Sequence, residues 1–210
     1  MKIAVFGPTG LSGRELVRQA LEAGHHVSAY ARTPSKLDIT DERLTVVRGE
    51  LDDTEAIEEA VRGADAVISL LGPTGDVTGT PLSSGMQNVL AAMKKFGVRR
   101  IVLVGTASVS DPNDLPDFKF RLLVAVIRTL LPGAYAEIIR IAEAVRATDL
   151  DWTIVRLPLL NNKPKTGRLR VGYYGQGRIR MFLSRADLAA FMLGQAADAR
   201  FIRKAPAISN

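Results

Sequence analysis

Lys2-Ile3-Ala4-Val5-Phe6-Gly7-Pro8-Thr9-Gly10-Leu11-Ser12-Gly13 opens the chain with a short β-type run that stops at a glycine turn. From Ser12 to Ala23 the apolar residues Leu16, Val17, Ala20 and Leu21 recur at helical spacing. The turn between them reads G-x-x-G-x-x-G. Its first glycine, Gly7, permits a tight turn, its second, Gly10, lets backbone N–H groups approach a pyrophosphate, and its third, Gly13, lets the helix pack on the strand. The helix N-terminus then faces the anion. Thr9, Leu11 and Ser12 lie between these glycines and join them as candidate cofactor-binding residues. Glycines by themselves mark only a turn; a triplet that follows the first strand and opens the first helix is the context of dinucleotide binding.

Working outward, Gly24 stops the helix, His26 to Ala31 resumes strand composition and Leu44 to Val47 makes a third strand. Thr54 is expected to cap a helix to Val61, with Glu55, Glu58 and Glu59 weighted toward the end where the dipole favours them. Ala66 to Leu71 is a continuous apolar run, as in a strand covered on both faces. A Gly/Pro/Thr loop, Gly72 to Pro81, leads to a helix opened by Ser83 or Ser84 and ended by Gly97, then to a strand from Arg100 to Val104. This βαβαβαβαβ alternation predicts an α/β fold: a Rossmann-like, doubly wound parallel sheet with helices on both faces. Ligands of such a sheet bind at the carboxyl ends of its strands.

Beyond Thr106 come a Pro/Asp loop from Ser110 to Asp117, helices near Phe118 to Leu131 and Ala134 to Thr148, and a strand from Trp152 to Arg156. A Gly/Arg/Tyr stretch reads as a hairpin. A helix from Ala186 to Ala197, capped by Ser184 with Asp187 three residues on, precedes a terminal strand around Ala207 and Ile208. One domain, 1–210, is expected, with a small substrate-side region built from 108–135 and 157–183.

Composition narrows the chemistry. With 47% hydrophobic and 24% charged residues in 210, the chain sits in the globular range. It has no cysteine and two adjacent histidines, His25 and His26, which removes thiolate metal sites and cysteine nucleophiles and makes a histidine triad or metal site improbable, so no metal is expected. No run approaches the length of a membrane span, and neither a transmembrane helix nor a membrane partner is expected. The stretch before the first glycine is too short for a secretory segment, and a cytoplasmic location is expected. The net charge is +6, with Arg99-Arg100 and the segment Lys163 to Arg180 the most basic. Charge alone does not choose between nucleic acid, a membrane surface and a polyanionic small molecule.

The second strand does choose. An acidic residue about 20 positions past the glycines marks an NAD site, and an arginine accommodates the 2′-phosphate of NADP. Here that position is Arg32, Lys36 follows within one turn, and Asp and Glu are absent between His25 and Lys36. NADP(H) is the expected cofactor.

Ile3-Ala4-Val5-Phe6-Gly7 with its turn, Arg32 with Lys36, Val47 to Leu51, Leu70-Leu71-Gly72 and Asn88 to Gly97 together resemble the atypical short-chain dehydrogenase/reductase group, in particular the NAD(P)H-binding proteins that include flavin reductase, also called biliverdin reductase B. The resemblance covers nearly the whole chain. It implies that Arg32 and Lys36 hold the 2′-phosphate, that Glu50 and Leu51 flank the adenine, and that Leu71 and Gly72 border the ribose and pyrophosphate. It also implies that Thr106 is the active-site hydroxyl near the nicotinamide, with Ser108 as competitor.

Two departures from that pattern bear on the chemistry. In the group's Tyr-x-x-x-Lys frame Tyr135 is the tyrosine, but the lysine position is Ile139, and Arg140 lies about 100° further round a helix. After Arg156 the flavin reductase has a histidine beyond its proline; this chain reads Leu157-Pro158-Leu159-Leu160, an apolar wall whose Pro158 and Leu159 are candidate cofactor-binding residues, placed to lie against nicotinamide or a flat ring.

Three functions follow. The first is an NADPH-dependent reductase for a flavin or quinone-like acceptor, with Thr106 and Tyr135 as its catalytic candidates and flavin as a substrate. The second is a non-catalytic NADP(H) sensor. The third, single-strand nucleic-acid binding through the basic residues of 161–180 interleaved with Tyr173 and Tyr174, is disfavoured, because such a stretch is more often a solvated surface. A monomer or weak homo-oligomer is expected.

Overall fold

Strand β1 (Lys2–Phe6) turns Ala4 and Phe6 to one face of a sheet and Ile3 and Val5 to the other, all fully buried. A strand with two buried faces belongs in the middle of a sheet covered by helices on both sides, and that is its place in the computed structural model, which describes residues 1–73 and 81–210. After β1 come α1 (Leu11–Glu22), β2 (His26–Ala31), β3 (Leu44–Arg48), α2 (Thr54–Val61), β4 (Ala66–Ser69), α3 (Pro81–Phe96) and β5 (Arg100–Thr106). The second half adds α4 (Phe118–Leu130), α5 (Pro132–Arg146), β6 (Asp151–Leu157), β7 (Leu159–Asn161), β8 (Arg170–Gly172), β9 (Phe182–Ser184), α6 (Arg185–Gln195) and β10 (Ala207–Ser209).

Eight strands form one sheet in the order β3-β2-β1-β4-β5-β6-β10-β8, parallel except for the antiparallel edge pair β10 and β8. Phe6, Ile101 and Ile154 pack with Ile57, Met86, Met93 and Val145 of α2, α3 and α5. On the opposite face Ile3, Val5, Ile68 and Val102 pack with Leu16 and Val17 of α1 and Leu188 and Met192 of α6. The doubly wound sheet expected from the sequence is therefore present, and its strand order reverses between β1 and β4.

Several local expectations are corrected. The polar loop between β2 and β3 holds a single 3-10 turn, Pro34–Lys36, in place of a crossover helix. The cap of α2 is Asp53, whose carboxylate accepts the Ala56 N–H at 3.0 Å, so Thr54 is the first helical residue. Helix α3 begins at Pro81, which puts Ser83 and Ser84 inside its first turn. Most of the loop from Gly72 to Pro81, residues 74–80, lies outside the described residues.

The basic stretch is not a hairpin. Strand β7 pairs in parallel with β9, and β8 pairs with β10 at the C-terminus. Between β7 and β8 the chain is held by Asp187, which accepts the N–H groups of Thr166 and Gly167 at 2.9 to 3.1 Å and the Thr166 hydroxyl at 2.9 Å. Burial pushes the Asp187 carboxyl up, but the hydrogen bonds from Thr166, Ser184 and Gly167 outweigh it and hold it below the usual carboxylate range. Ser184 caps α6, as expected, its hydroxyl accepting the Asp187 N–H at 3.0 Å.

Candidate functional site

The carboxyl ends of β1 and β4, where the strand order reverses, set the position of the site. Gly7 ends β1 with φ +82°, and a Cβ there would lie 3.1 to 3.2 Å from the backbone of Leu70 and Leu71. A Cβ on Gly13 would stand 2.1 Å from the Gly7 carbonyl oxygen, so the start of α1 rests directly on the turn. Gly10 is different. Its backbone is extended, at φ −71° and ψ 162°, and a Cβ would meet only the Gly7 oxygen, at 3.8 Å. Neither conformation nor packing requires glycine at this position. Gly10 is also the N-cap of α1 and gives its first N–H groups no side-chain cap. A cradle with spare room over uncapped helix donors fits a phosphate.

Arg14, on the first turn of α1, ties this turn to the end of β2. Its Nε donates to the Thr9 carbonyl at 3.2 Å and its Nη2 to the Lys36 carbonyl at 2.5 Å, with Asp38 at 3.5 Å from Nη1. The sequence reading missed this residue. A cation at a helix N-terminus opposes the dipole, and that misplaced charge is the signal that it has another role. Arg32 and Lys36 are exposed on the tied segment, and neither is ion-paired among the described residues.

The segment carrying Glu50 and Leu51 is fixed from three sides. The Tyr30 hydroxyl donates to the Glu50 carbonyl at 2.5 Å and Asn88 of α3 donates to the Leu51 carbonyl at 2.8 Å. A Cβ on Gly85 would stand 2.6 Å from the Leu51 Cβ. Burial, reinforced by Asp53, Glu50 and Asp52, pushes the Tyr30 phenol up to about 12, so it remains a donor at neutral pH. Leu71 and Gly72 follow β4 beside Gly7, partly exposed, the Leu71 N–H reaching Ser69 Oγ at 3.4 Å.

Thr106 is the last residue of β5, paired with Leu157 of β6. Its Oγ1 accepts the Ser108 N–H at 3.2 Å, whereas Ser108 Oγ is buried without a partner among the described residues. Tyr135 is half-buried in the first turn of α5. Arg140 is bound to Glu137 at 3.1 Å and so is committed away from the phenol.

Glu137 is a second residue the sequence did not reveal. It is fully buried and accepts the Leu82 and Ser83 N–H groups at 3.1 and 2.9 Å and the Ser83 hydroxyl at 2.9 Å, holding the start of α3. Burial raises its carboxyl, and the bonds from Ser83, Arg140 and Leu82 more than reverse this, leaving it below the usual range.

Beneath Thr106 lies Arg156 of β6, 0% exposed. Its Nη atoms donate to both carboxylate oxygens of Asp114 at 2.6 and 2.7 Å and to the Val109 carbonyl at 3.0 Å. Its guanidinium stands 4.6 Å over the Tyr174 ring. This cluster fastens loop 109–114 to the sheet. Pro158 and Leu159 emerge just past β6, Leu159 52% exposed.

A cleft of about 420 Å³ runs from Leu11 back along α1 to Glu22, bounded by Lys163, Lys165 and Arg185 and leading away from Thr106. Among the described residues there is no group of three His, Asp or Glu arranged to hold a metal, and no single helix is long and apolar enough to cross a membrane.

Known proteins resemble this chain in sequence or fold. A (4-alkanoyl-5-oxo-2,5-dihydrofuran-3-yl)methyl phosphate reductase of Streptomyces griseus is 32% identical over 154 residues, which cover 73% of this chain and 46% of the relative. The chain spans about half the length of the curated relatives it matches. A short-chain dehydrogenase/reductase (wide type) of Veillonella parvula, solved in complex with NADP, superposes with TM-score 0.78 at 23% identity, covering 100% of this chain and 94% of that one. An anaerobillin reductase of Escherichia coli O157:H7 superposes with TM-score 0.80 at 20% identity, covering 100% and 97%. At those identities the two structures share its fold. The sequence match runs from the glycine turn into the end of the last helical layer, residues 7–199, and by it the chain belongs to the NAD(P)H-binding family.

Proposed function

We propose that this chain binds NADPH in preference to NADH and reduces a flavin or quinone-like small molecule. The observation that carries this reading is the missing cation beside Tyr135, the group that would make the phenol a better acid: the position one turn on is Ile139, and Arg140 is bound to Glu137. Reduction of a carbonyl needs a positioned acid for the nascent alkoxide, whereas a flavin or quinone takes its proton from solvent. The protein then has only to hold two flat rings together and exclude water. When bound, the reduced nicotinamide supplies the hydride.

Gly7 to Gly13 would cradle the pyrophosphate, Arg32 and Lys36 the 2′-phosphate, and Glu50 and Leu51 the adenine, with Leu71 and Gly72 along the ribose side. Thr106, Pro158 and Leu159 would stand at the nicotinamide end, Tyr135 would border the acceptor, and segments 108–135 and 157–183 would build its side of the crevice. A second reading, a sensor that binds NADP(H) without turnover, is favoured by the same departure from the Tyr-x-x-x-Lys frame, with Ile139 at the lysine position.

NADPH oxidation with FMN, a soluble quinone and an aromatic ketone decides among these. Turnover with the first two is expected, turnover with the ketone alone would overturn the proposal, and tight binding with no turnover would select the sensor. Tyr135→Phe should change FMN turnover less than about threefold, ~0.7 kcal/mol of barrier. Thr106→Val should lower it about tenfold or more, because it removes a polar group beside the nicotinamide. Loss of most activity in Tyr135→Phe would reject the solvent-proton mechanism. Arg32→Ala should weaken NADPH by about 10- to 150-fold with NADH nearly unchanged, as expected for a charge-assisted bond of roughly 1.5 to 3 kcal/mol. Calorimetric titration of both cofactors measures it, and equal affinities in the unmutated protein would exclude a 2′-phosphate clamp.

A further inference from the structure

Eleven large apolar side chains stand exposed among the described residues, and six of them fall within Leu115 to Leu131: Leu115, Phe118, Leu122, Val126, Leu130 and Leu131. Four of these are spaced four residues apart along α4, so each advances about 40° round the helix and together they form one stripe. Phe118 is 80% exposed and Leu130 71%. The opposite side of α4 is anchored by Phe120, which packs on Tyr174 at 4.1 Å between ring centroids. The stripe therefore faces away from the protein.

Among the described residues the charges around the stripe are mostly positive, Asp117 at its N-terminal end being the exception. Lys119, Arg121 and Arg128 are exposed on α4, which carries no acidic residue. Ile179 and Met181 pack against the Phe120–Tyr174 cluster, which sets the exposed Arg178 and Arg180 beside α4. None of these five cations is ion-paired among the described residues. The carboxylates at this end are engaged elsewhere: Asp117 caps α4 through the Lys119 and Phe120 N–H groups, and Asp114 binds Arg156.

An exposed apolar stripe flanked mainly by cations among the described residues is complementary to an anionic lipid surface. A second copy would set cations against cations. The geometry is that of a helix lying on a membrane: thirteen residues span about 20 Å, short of a hydrocarbon core of about 30 Å. Helix α5 is bent 114° from α4 and is bound to the fold through Glu137. The sequence reading assigned no membrane partner because no run is long enough to span one; resting on a surface needs no such run. We propose that α4 docks this protein on an anionic bilayer, its apolar stripe entering the headgroup region and its cations meeting lipid phosphates. The proposal does not rest on the choice of acceptor. Because α4 follows the carboxyl end of β5, docking would bring the crevice end of the sheet to the lipid.

Flotation with phosphatidylcholine vesicles, with and without phosphatidylglycerol, tests it. Binding to the phosphatidylglycerol vesicles alone, weakening as salt rises, is expected. Each cation near such a surface contributes about fivefold in partition, so Arg121→Gln with Arg128→Gln should reduce binding by about 25-fold. Leu122→Gln with Leu130→Gln should reduce it about tenfold or more. Both double variants should melt and titrate NADPH like the unmutated protein, since all four side chains are exposed. Absence of binding to anionic vesicles, or equal binding to both kinds, would overturn the proposal. So would a dimer in light scattering that Leu122→Gln with Leu130→Gln dissociates, because the stripe would then belong to a second copy.

Discussion

Gly10→Val is expected to abolish NADPH binding, by more than about 100-fold, while leaving the protein folded. The expectation comes from the contrast among the three glycines. At Gly10 the backbone is extended and a Cβ meets nothing nearer than 3.8 Å, so the protein tolerates a side chain that the phosphate would not. Valine is a poor N-cap, which costs about 1 kcal/mol and lowers Tm by about 2–4 °C. In the unmutated protein, NADPH at about 100 times its Kd stabilises by about 2.7 kcal/mol and should raise Tm by about 5–11 °C; in the variant that shift should vanish. Gly13→Ala is the control. Its Cβ would stand 2.1 Å from the Gly7 oxygen, so this smaller substitution should destabilise the protein itself by about 1–3 kcal/mol or more. A preserved thermal shift in Gly10→Val would show that the turn is only architectural.

Asp114→Ala is expected to lower stability by about 3–5 kcal/mol, or roughly 6–20 °C in Tm. It strands the Arg156 guanidinium, which is wholly enclosed and, among the described residues, keeps only the Val109 carbonyl and the face of Tyr174 as partners. The Asp114 side chain is 20% exposed, so some water reaches the pair and the lower end of the range is the better guide. Removing both charges together, Asp114→Leu with Arg156→Met, should recover most of the loss, because the cost lies in an unpaired buried charge more than in the missing attraction. Thermal or urea melts of the single and double variants measure this. A single variant melting within about 3 °C of the unmutated protein would mean that solvent replaces Asp114.

The glycine turn and the strand–helix alternation were legible because both are local: a turn needs its glycines in place, and a strand buried on two faces needs an unbroken apolar run. Apart from the one-residue shift of the α2 cap from Thr54 to Asp53, errors arose where a partner is distant in sequence. Strand β8 reads as half of a hairpin because its true partner, β10, is at the far end of the chain. Asp187 was visible as the companion of the Ser184 cap, but its hold on Thr166 and Gly167 was not. Glu137 looks like an ordinary polar residue two positions after Tyr135, and its burial is set by Leu82 and Ser83, more than fifty residues earlier. In the same way nothing local marks Arg156 as enclosed, or the stripe on α4 as uncovered.

Arg14 reaches Lys36 through the carbonyl oxygen, not the side chain. Support and the proposed recognition at this corner thus fall to different atoms of one residue: the backbone takes the strut, and the ammonium stays available for the phosphate contact proposed above. A redesign of cofactor preference can therefore rewrite the side chains at positions 32 and 36 freely, provided that it leaves Arg14 alone and keeps a residue whose backbone follows the same path.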